Sequence, residues 1–277
     1  MFKKVYQLVI VGLIAVLVLG SCSTKFRKVQ KSTDWKVKYN AAMAYYENED
    51  YYKASILFEE VLPIMVGMPE AEKAQFYFAY SNYYQGNRLL SAHYFKSFFD
   101  TYRRSEFAEE ALFMHAFSLY RDSPKYNLDQ TSTIEAVNAM QSFINLYPYS
   151  EKKEEANTII DEMQAKLEKK AYEKAKQYYR LNNLNAAVVA FETFQNGYPD
   201  SRMVEEVSYL KIDAQYKYAS QSITSRQRER YQKVLEFYEY FVDNFPNSKY
   251  VRDAEKVYEQ TTQALTRLGT NSNIVLN

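Results

Sequence analysis

Few side chains in this sequence are equipped for covalent, metal or acid–base chemistry: one cysteine, Cys22, and two histidines, His93 and His115. A lone thiol makes no internal disulfide, and one Cys with two His falls short of the four ligands of a structural zinc site. His93 and His115 each stand in an aromatic helical segment with no Cys, His or Asp at ligand or triad spacing, which points to packing or surface roles. The acid pairs Glu59-Glu60, Glu109-Glu110 and Glu205-Glu206 are adjacent. Adjacent residues on a helix point in different directions, so these are solvated faces and not carboxylate dyads. No glycine-rich phosphate loop or metal motif occurs. The expectation is a protein with no catalytic site, no metal and no dissociable cofactor. A hydrolase reading would return only if a histidine lay in a cleft with a perturbed acid.

Cys22 needs its own explanation. It closes the run Leu19-Gly20-Ser21-Cys22, behind an apolar stretch from Leu8 to Leu19 and a basic start at Lys3 and Lys4, which is the layout of a secretory leader. About twelve apolar residues at roughly 1.5 Å each span about 18 Å, too short for the roughly 30 Å hydrocarbon core of a bilayer. Leu, two small residues and Cys resemble the bacterial lipobox. That resemblance implies cleavage after residue 21 and a covalent diacylglycerol and acyl chain on Cys22, holding the protein on a membrane without spanning it. The alternative is an unmodified cysteine beside an ordinary cleavage site. Residues 22–33 read as a polar basic tether, with Lys25, Arg27, Lys28 and Lys31 and little to drive packing. Its charges are either solvated or rest on anionic headgroups. Surface lipoproteins of Bacteroidetes typically carry acids just after the cysteine, and none occurs here before Asp34. From such a bacterium, the body is expected to face the periplasm from the outer membrane.

The elements that follow are helical. Of 277 residues, 47% are hydrophobic and 25% charged, a composition that can bury a sizeable core. Only 6 Gly and 6 Pro leave few tight turns for a strand-rich fold, and apolar residues return every three or four positions rather than every two. Lys plus Arg number 35 against 34 Asp plus Glu, or 33 against 34 without Lys3 and Lys4. That balance gives no global basic field for nucleic acid.

From Asp34 the chain repeats. Four segments end alike: Phe98 with Tyr102-Arg103-Arg104-Ser105, Phe143 with Tyr147-Pro148-Tyr149-Ser150, Phe194 with Tyr198-Pro199-Asp200-Ser201, and Phe241 with Phe245-Pro246-Asn247-Ser248. Proline stops a helix, and serine accepts hydrogen bonds from the free N–H groups that start the next. Small and aromatic residues recur inside the units at tetratricopeptide offsets: Ala42, Tyr45, Ala54 and Phe58; Ala79, Ser91, Phe95 and Phe98; Ala136 and Phe143; Ala175, Tyr178, Ala187, Phe191 and Phe194; Ala214 and Phe241. Insertions fall near Arg121 to Ser132 and Ala219 to Arg228. The predicted fold is all-α, a superhelical solenoid of about five tetratricopeptide-type helix pairs over residues 34–268, with a flexible tail over 269–277.

From Cys22 to about Leu268 the chain resembles the BamD family, the lipoproteins of the outer-membrane β-barrel assembly (Bam) machinery. The stretch Lys166 to Ser201 carries most of the likeness, with Tyr178-Tyr179, Ala187-Val188-Val189 and Tyr198-Pro199-Asp200-Ser201. The resemblance implies a scaffold beside the BamA-type insertase, an Omp85-class barrel with POTRA domains. On the family's pattern, the N-terminal repeats (34–150) receive unfolded outer-membrane β-barrel proteins and the C-terminal repeats (151–268) dock on the insertase. Arg103 in place of proline, the richness in tyrosine and the tail depart from the pattern and put individual contacts in doubt. Candidates near the first groove are Tyr45, Tyr46, Tyr51, Tyr52, Tyr77, Tyr80, Tyr83 and Tyr84. Most of these are expected to be inter-repeat packing; Tyr45, Tyr80 and Tyr83 are the peptide-binding candidates, because an extended peptide on a solenoid is held by backbone bonds and side-chain pockets. Partner-docking candidates are Tyr179, Arg180 and the basic run Arg226, Arg228 and Arg230, which is read as a loop whose charges otherwise are simply solvated.

Three functions fit such a molecule: a barrel-assembly scaffold, a repeat-type adaptor for division or peptidoglycan machinery, and a glycan-capturing lipoprotein. The adaptor usually lacks the lipobox and carries a coiled coil, and the glycan-capturing type needs a longer chain with large loops.

Overall fold

The computed structural model describes residues 25–274; the leader, Cys22 and residues 275–277 lie outside them. Among the described residues every regular element is a helix. After a short helical segment over 25–30, they are α1 (Trp35–Glu47), α2 (Tyr51–Val61), α3 (Pro69–Tyr84), α4 (Arg88–Thr101), α5 (Ala108–Asp122), α6 (Thr131–Leu146), α7 (Lys153–Arg180), α8 (Leu184–Gly197), α9 (Val204–Ser220), α10 (Thr224–Asn244) and α11 (Val251–Ile274). None is long and apolar enough to cross a membrane. They form two compact units: the described residues up to Pro124 with Leu128–Met163, and Lys125–Asn127 with those from Gln164 onward. The boundary falls within α7.

Local chemistry sets the helix ends. Asp34 accepts from the Lys36 N–H at 2.8 Å and caps α1, Asp50 does the same for α2 through Lys53 at 3.3 Å, and Pro69 opens α3 where its missing N–H costs nothing. The repeated Phe-to-aromatic ending is a terminator. Tyr102, Tyr147, Tyr198 and Phe245 leave the helical region at φ −118°, −121°, −139° and −132°, and each N–H returns to the carbonyl of the Phe four residues back at 2.8–2.9 Å. Arg103 keeps this turn without the proline ring. Each serine then accepts an N–H two residues on, from Phe107, Lys152, Met203 and Tyr250 at 3.0–3.1 Å.

The repeat positions are the core. Ala42, Ala54, Phe58, Ala79, Ser91, Phe95, Phe98, Ala136, Phe143, Ala175, Ala187, Phe191, Ala214 and Phe241 are all fully buried. Small residues let two backbones approach and phenylalanines fill the space between pairs. In the first unit one cluster forms on α1–α3 and a second runs through α3–α7; in the second unit one spans α7–α9 and another α9–α11.

Three features differ from the sequence expectation. Residues 25–30 of the expected tether are helical, and Phe26 and Val29 pack on the N-terminal cluster, a pair too short to register as a periodic pattern. The basic run at 226–230 sits on α10 and not in a loop, because the insertion lengthens the helix backward to Thr224. Helix α11 continues past Leu268 to Ile274, so the expected flexible tail is helical up to that residue, although Gly269, Asn271, Ser272 and Asn273 are residues that favour turns.

Candidate peptide-binding and docking surfaces

In the first unit the tyrosines of α1, α2 and α3 form a connected aromatic row. Tyr46 lies 4.7 Å from Tyr77 and 5.5 Å from Tyr51, Tyr51 stacks on Tyr84 at 4.5 Å, and Tyr84 stacks on Tyr80 at 5.8 Å. Offset and edge contacts of this kind each add roughly 0.5–1.5 kcal/mol beyond burial. The row ends at Tyr83, which lies 5.5 Å from Tyr84 and carries the Arg88 guanidinium 4.3 Å above its ring. Arg88 is fixed there by donating to the Tyr83 carbonyl at 2.7 Å.

The hydroxyl of Tyr80 donates to Glu110 on α5. Burial, and then that bond to a carboxylate, push its ionisation far above the usual tyrosine range, so it stays a protonated donor. Tyr46 is raised likewise by burial and by its tyrosine neighbours. Tyr80 therefore braces the row from beneath, and Tyr84, half exposed at 50%, presents it to solvent.

The structure thus brings Tyr80 and Tyr83 together through Tyr84 and sets Tyr45 apart. Tyr45 packs edge-on against Phe26 at 5.7 Å, with Lys53 5.3 Å above its ring. Tyr51 and Tyr84 carry the outward stack that the choice of three tyrosines passed over. The signal was present in the four-residue step from Tyr80 to Tyr84, which puts both on one helix face.

Both histidines line one cleft of about 460 Å³ on α4, α5 and α6, with Glu135 and Ser142. Sequence spacing gave no hint of this, since 22 positions separate them. His115 Nδ1 bonds the Ala92 carbonyl at 2.9 Å, and burial lowers its ionisation below the usual imidazole value. The Ser142 hydroxyl donates to its own helix at Asn138, 2.8 Å away. Neither contact is the carboxylate–histidine–hydroxyl relay of a hydrolase. Among the described residues no group of three or more Cys, His, Asp or Glu is placed to hold a metal ion.

In the second unit Tyr179 donates to Asp213 and accepts from Lys217 at 2.6 Å, and Lys217 also pairs with Asp213 at 2.6 Å. Burial first, then Asp213, raise its ionisation. Arg180 is exposed and pairs with Glu173 at 3.4 Å. The three arginines of α10 meet different fates, since a step of two turns a helix side chain to another face. Arg226 is exposed with Glu229 at 3.3 Å, Arg228 is exposed, and Arg230 folds inward over the Tyr218 ring at 4.0 Å and donates to Ser222.

The same unit also holds an apolar cleft of about 640 Å³. Ala171, Lys174 and Tyr178 of α7 line one wall, and Val189, Ala190 and Thr193 of α8 line the other. Val189 is 55% exposed there. Small residues on both helices hold the groove open, and Lys174 is its one cation. This cleft is a better-shaped receptor than any single arginine, and sequence periodicity hid it because Ala186 and Ala190 read as ordinary packing residues.

Comparison with known proteins adds one match. A family model, YfiO, described as outer membrane lipoprotein, matches residues 31–180 and again 165–271. Together the two spans take in every helix from α1 through most of α11. No curated protein matches the chain.

Proposed function

Because the chain belongs to the YfiO outer membrane lipoprotein family, to which the BamD-type lipoproteins also belong, we propose that it is the lipid-anchored scaffold subunit of an outer-membrane β-barrel assembly complex. Membership carries outer membrane association. The finer reading is that Cys22 bears the diacylglycerol and acyl chain and holds the helical repeats on the periplasmic face. Its partners are then a BamA-type insertase of the Omp85 class with POTRA domains, and unfolded barrel proteins on their way to it. No nucleic acid enters.

The observation that carries this proposal is the family match over residues 31–271. Two surfaces supply a physical means. The row Tyr46, Tyr51, Tyr84, Tyr80 and Tyr83 offers flat π-faces and an Arg88 cation to an extended peptide, a strand end rich in aromatic side chains being the natural complement. The α7–α8 cleft, an apolar slot with Lys174 on its wall, and the exposed Arg180, Arg226 and Arg228 of the same unit offer docking surfaces to a folded domain.

The test is a pull-down of the membrane-anchored protein after mild detergent extraction, with co-purifying proteins identified by mass spectrometry. A barrel with POTRA domains at near-equal amount supports the proposal. Its absence, with division or peptidoglycan proteins in its place, moves the chain to an envelope adaptor on the same fold.

A further inference from the structure

The N-terminal end of the first unit carries an exposed surface that neither binding region uses. Between α2 and α3 the chain turns through residues 63–67. Met65 is fully buried, whereas its neighbours Ile64 and Val66 are 54% and 80% exposed. The turn is fixed by bonds from Met65 N–H to the Val61 carbonyl at 3.0 Å and from Met68 N–H to the Met65 carbonyl at 2.8 Å. Gly67 closes it at φ +81°, a conformation that glycine adopts without strain. Two branched apolar side chains are therefore held out in water by a built turn.

The helical segment 25–30 joins the same N-terminal cluster at the end of α2. Phe26 and Val29 pack into the same cluster as Val61, Leu62 and Met65, and Gln30 donates to Glu60 at 3.0 Å, tying the segment to the end of α2. With its apolar side turned inward, the segment leaves Lys25, Arg27 and Lys28 exposed, and Lys31 follows directly. None of these four makes an ion pair among the described residues.

We propose that this surface, the Ile64–Val66 turn beside the four free cations, seats on the anionic phospholipid surface of the membrane that carries the protein. The proposal rests on the lipid-anchor reading of Cys22, which also supplies the distance. Lys25 stands three positions after Cys22, at most about 10 Å of extended chain. An acylated Cys22 at the interface therefore places Lys25 within about one Debye length of the headgroups, with Arg27, Lys28 and Lys31 following along the same short segment. Cations at that range are attracted to anionic lipid, and branched apolar side chains on a turn can enter the headgroup boundary without unfolding anything. A protein partner would need a matching cavity; a bilayer needs only the charge and the apolar tip.

The experiment uses the mature chain from residue 22 with Cys22→Ser, so that no acyl chain contributes. It is floated with vesicles of phosphatidylethanolamine and phosphatidylglycerol, and with vesicles of neutral lipid alone. The expected result is binding to the anionic vesicles that weakens in high salt. Partition should fall roughly five-fold for each of Lys25, Arg27, Lys28 and Lys31 changed to Gln, and roughly ten-fold for Ile64→Ser with Val66→Ser, at unchanged helical circular dichroism. Equal binding to neutral vesicles, no binding, or binding untouched by either set of changes overturns the proposal. So does a loss of insertase capture in detergent by the same variants with no vesicle effect, which would give the surface to a protein partner. Acylation of Cys22, followed by labelled fatty acid in cells, is read separately, so failure of the anchor and failure of the surface give different results.

Discussion

The Ser248 hydroxyl donates to the Glu205 carboxylate at 2.5 Å, across 43 positions of sequence, while its oxygen accepts the Tyr250 N–H at 3.1 Å. One side chain thus caps α11 and ties that helix start to the first turn of α9. The same arrangement joins Ser150 to Glu109 at 2.6 Å and Ser105 to Glu72. The acid of each pair sits in the first turn of its helix, where the helix dipole favours a negative charge. At three of the four repeat endings, Ser105, Ser150 and Ser248, one serine and one glutamate staple neighbouring repeats at the same end.

Removing the staple should cost both its halves. Ser248→Ala is expected to lower the stability of the second unit by about 1–2 kcal/mol, the sum of a lost cap and a carboxylate bond shared with water. Glu205→Gln should cost less, because the cap survives. Urea unfolding followed by hydrogen exchange in α11 checks this; an effect of Ser248→Ala no larger than that of Glu205→Gln would mean that the cap contributes nothing.

The aromatic row predicts a division between supporting and contacting tyrosines. Tyr84→Ala should weaken binding of an extended peptide with a terminal aromatic residue by roughly five- to ten-fold, and should also lower the stability of the first unit by about 1–3 kcal/mol, because the ring stacks on Tyr51 and Tyr80. Tyr80→Phe keeps the ring and removes only the donor to Glu110, so it should lower stability by about 1 kcal/mol and leave peptide affinity within about two-fold. Fluorescence anisotropy of a labelled peptide, with thermal melts beside it, separates the two. Equal losses of affinity would show that the Tyr80 hydroxyl touches ligand.

These contrasts also mark what a sequence can carry. Ala54, Phe58, Ala187 and Phe191 were legible because burial in a helix pair repeats with a fixed local period. So was the aromatic-to-serine ending, in which every partner lies within a few residues. Contacts that cross between repeats were not legible. Tyr80 to Glu110, Tyr120 to Glu162 and Tyr172 to Glu206 span 30, 42 and 34 positions; their spacing drifts because the insertions differ in length. The shared cleft of His93 and His115 depends likewise on how α4, α5 and α6 pack. Tyr45 was a candidate because it lies near the first groove, and periodicity does not say whether a neighbour such as Phe26 arrives to cover it.

His115 should give the first unit a distinct acid response. Its ring is neutral in the fold, because burial disfavours the imidazolium; the Ala92 carbonyl, Asp100 and Glu135 oppose that effect and Lys96 adds to it. The unfolded state binds a proton near pH 6.5, the fold only at lower pH, so the contribution is complete above about 6.5 and is lost as pH falls below it. His115→Asn, which can keep a donor to Ala92 without titrating, should flatten the fall in unfolding midpoint between about pH 6.5 and 5. An unchanged slope in that variant would assign the acid response to other groups.

The arginines of α10 give the last prediction, because the structure separates what the sequence grouped. Arg226 and Arg228 are exposed, and their reversal to Glu removes only a surface pair with Glu229, worth well under about 1 kcal/mol. Arg230 instead stacks on Tyr218 and donates to Ser222 beside the α9–α10 connection, so Arg230→Glu should destabilise the second unit by about 1–3 kcal/mol. If docking uses this surface, Arg226→Glu with Arg228→Glu should reduce insertase capture several-fold at an unchanged melting temperature, while Arg230→Glu lowers both together. Full capture by the double variant would remove α10 from the docking surface and leave the α7–α8 cleft, where Val189→Asp gives the corresponding test: an apolar wall made acidic should abolish capture by a domain that buries against it, and retention of capture would clear the cleft as well.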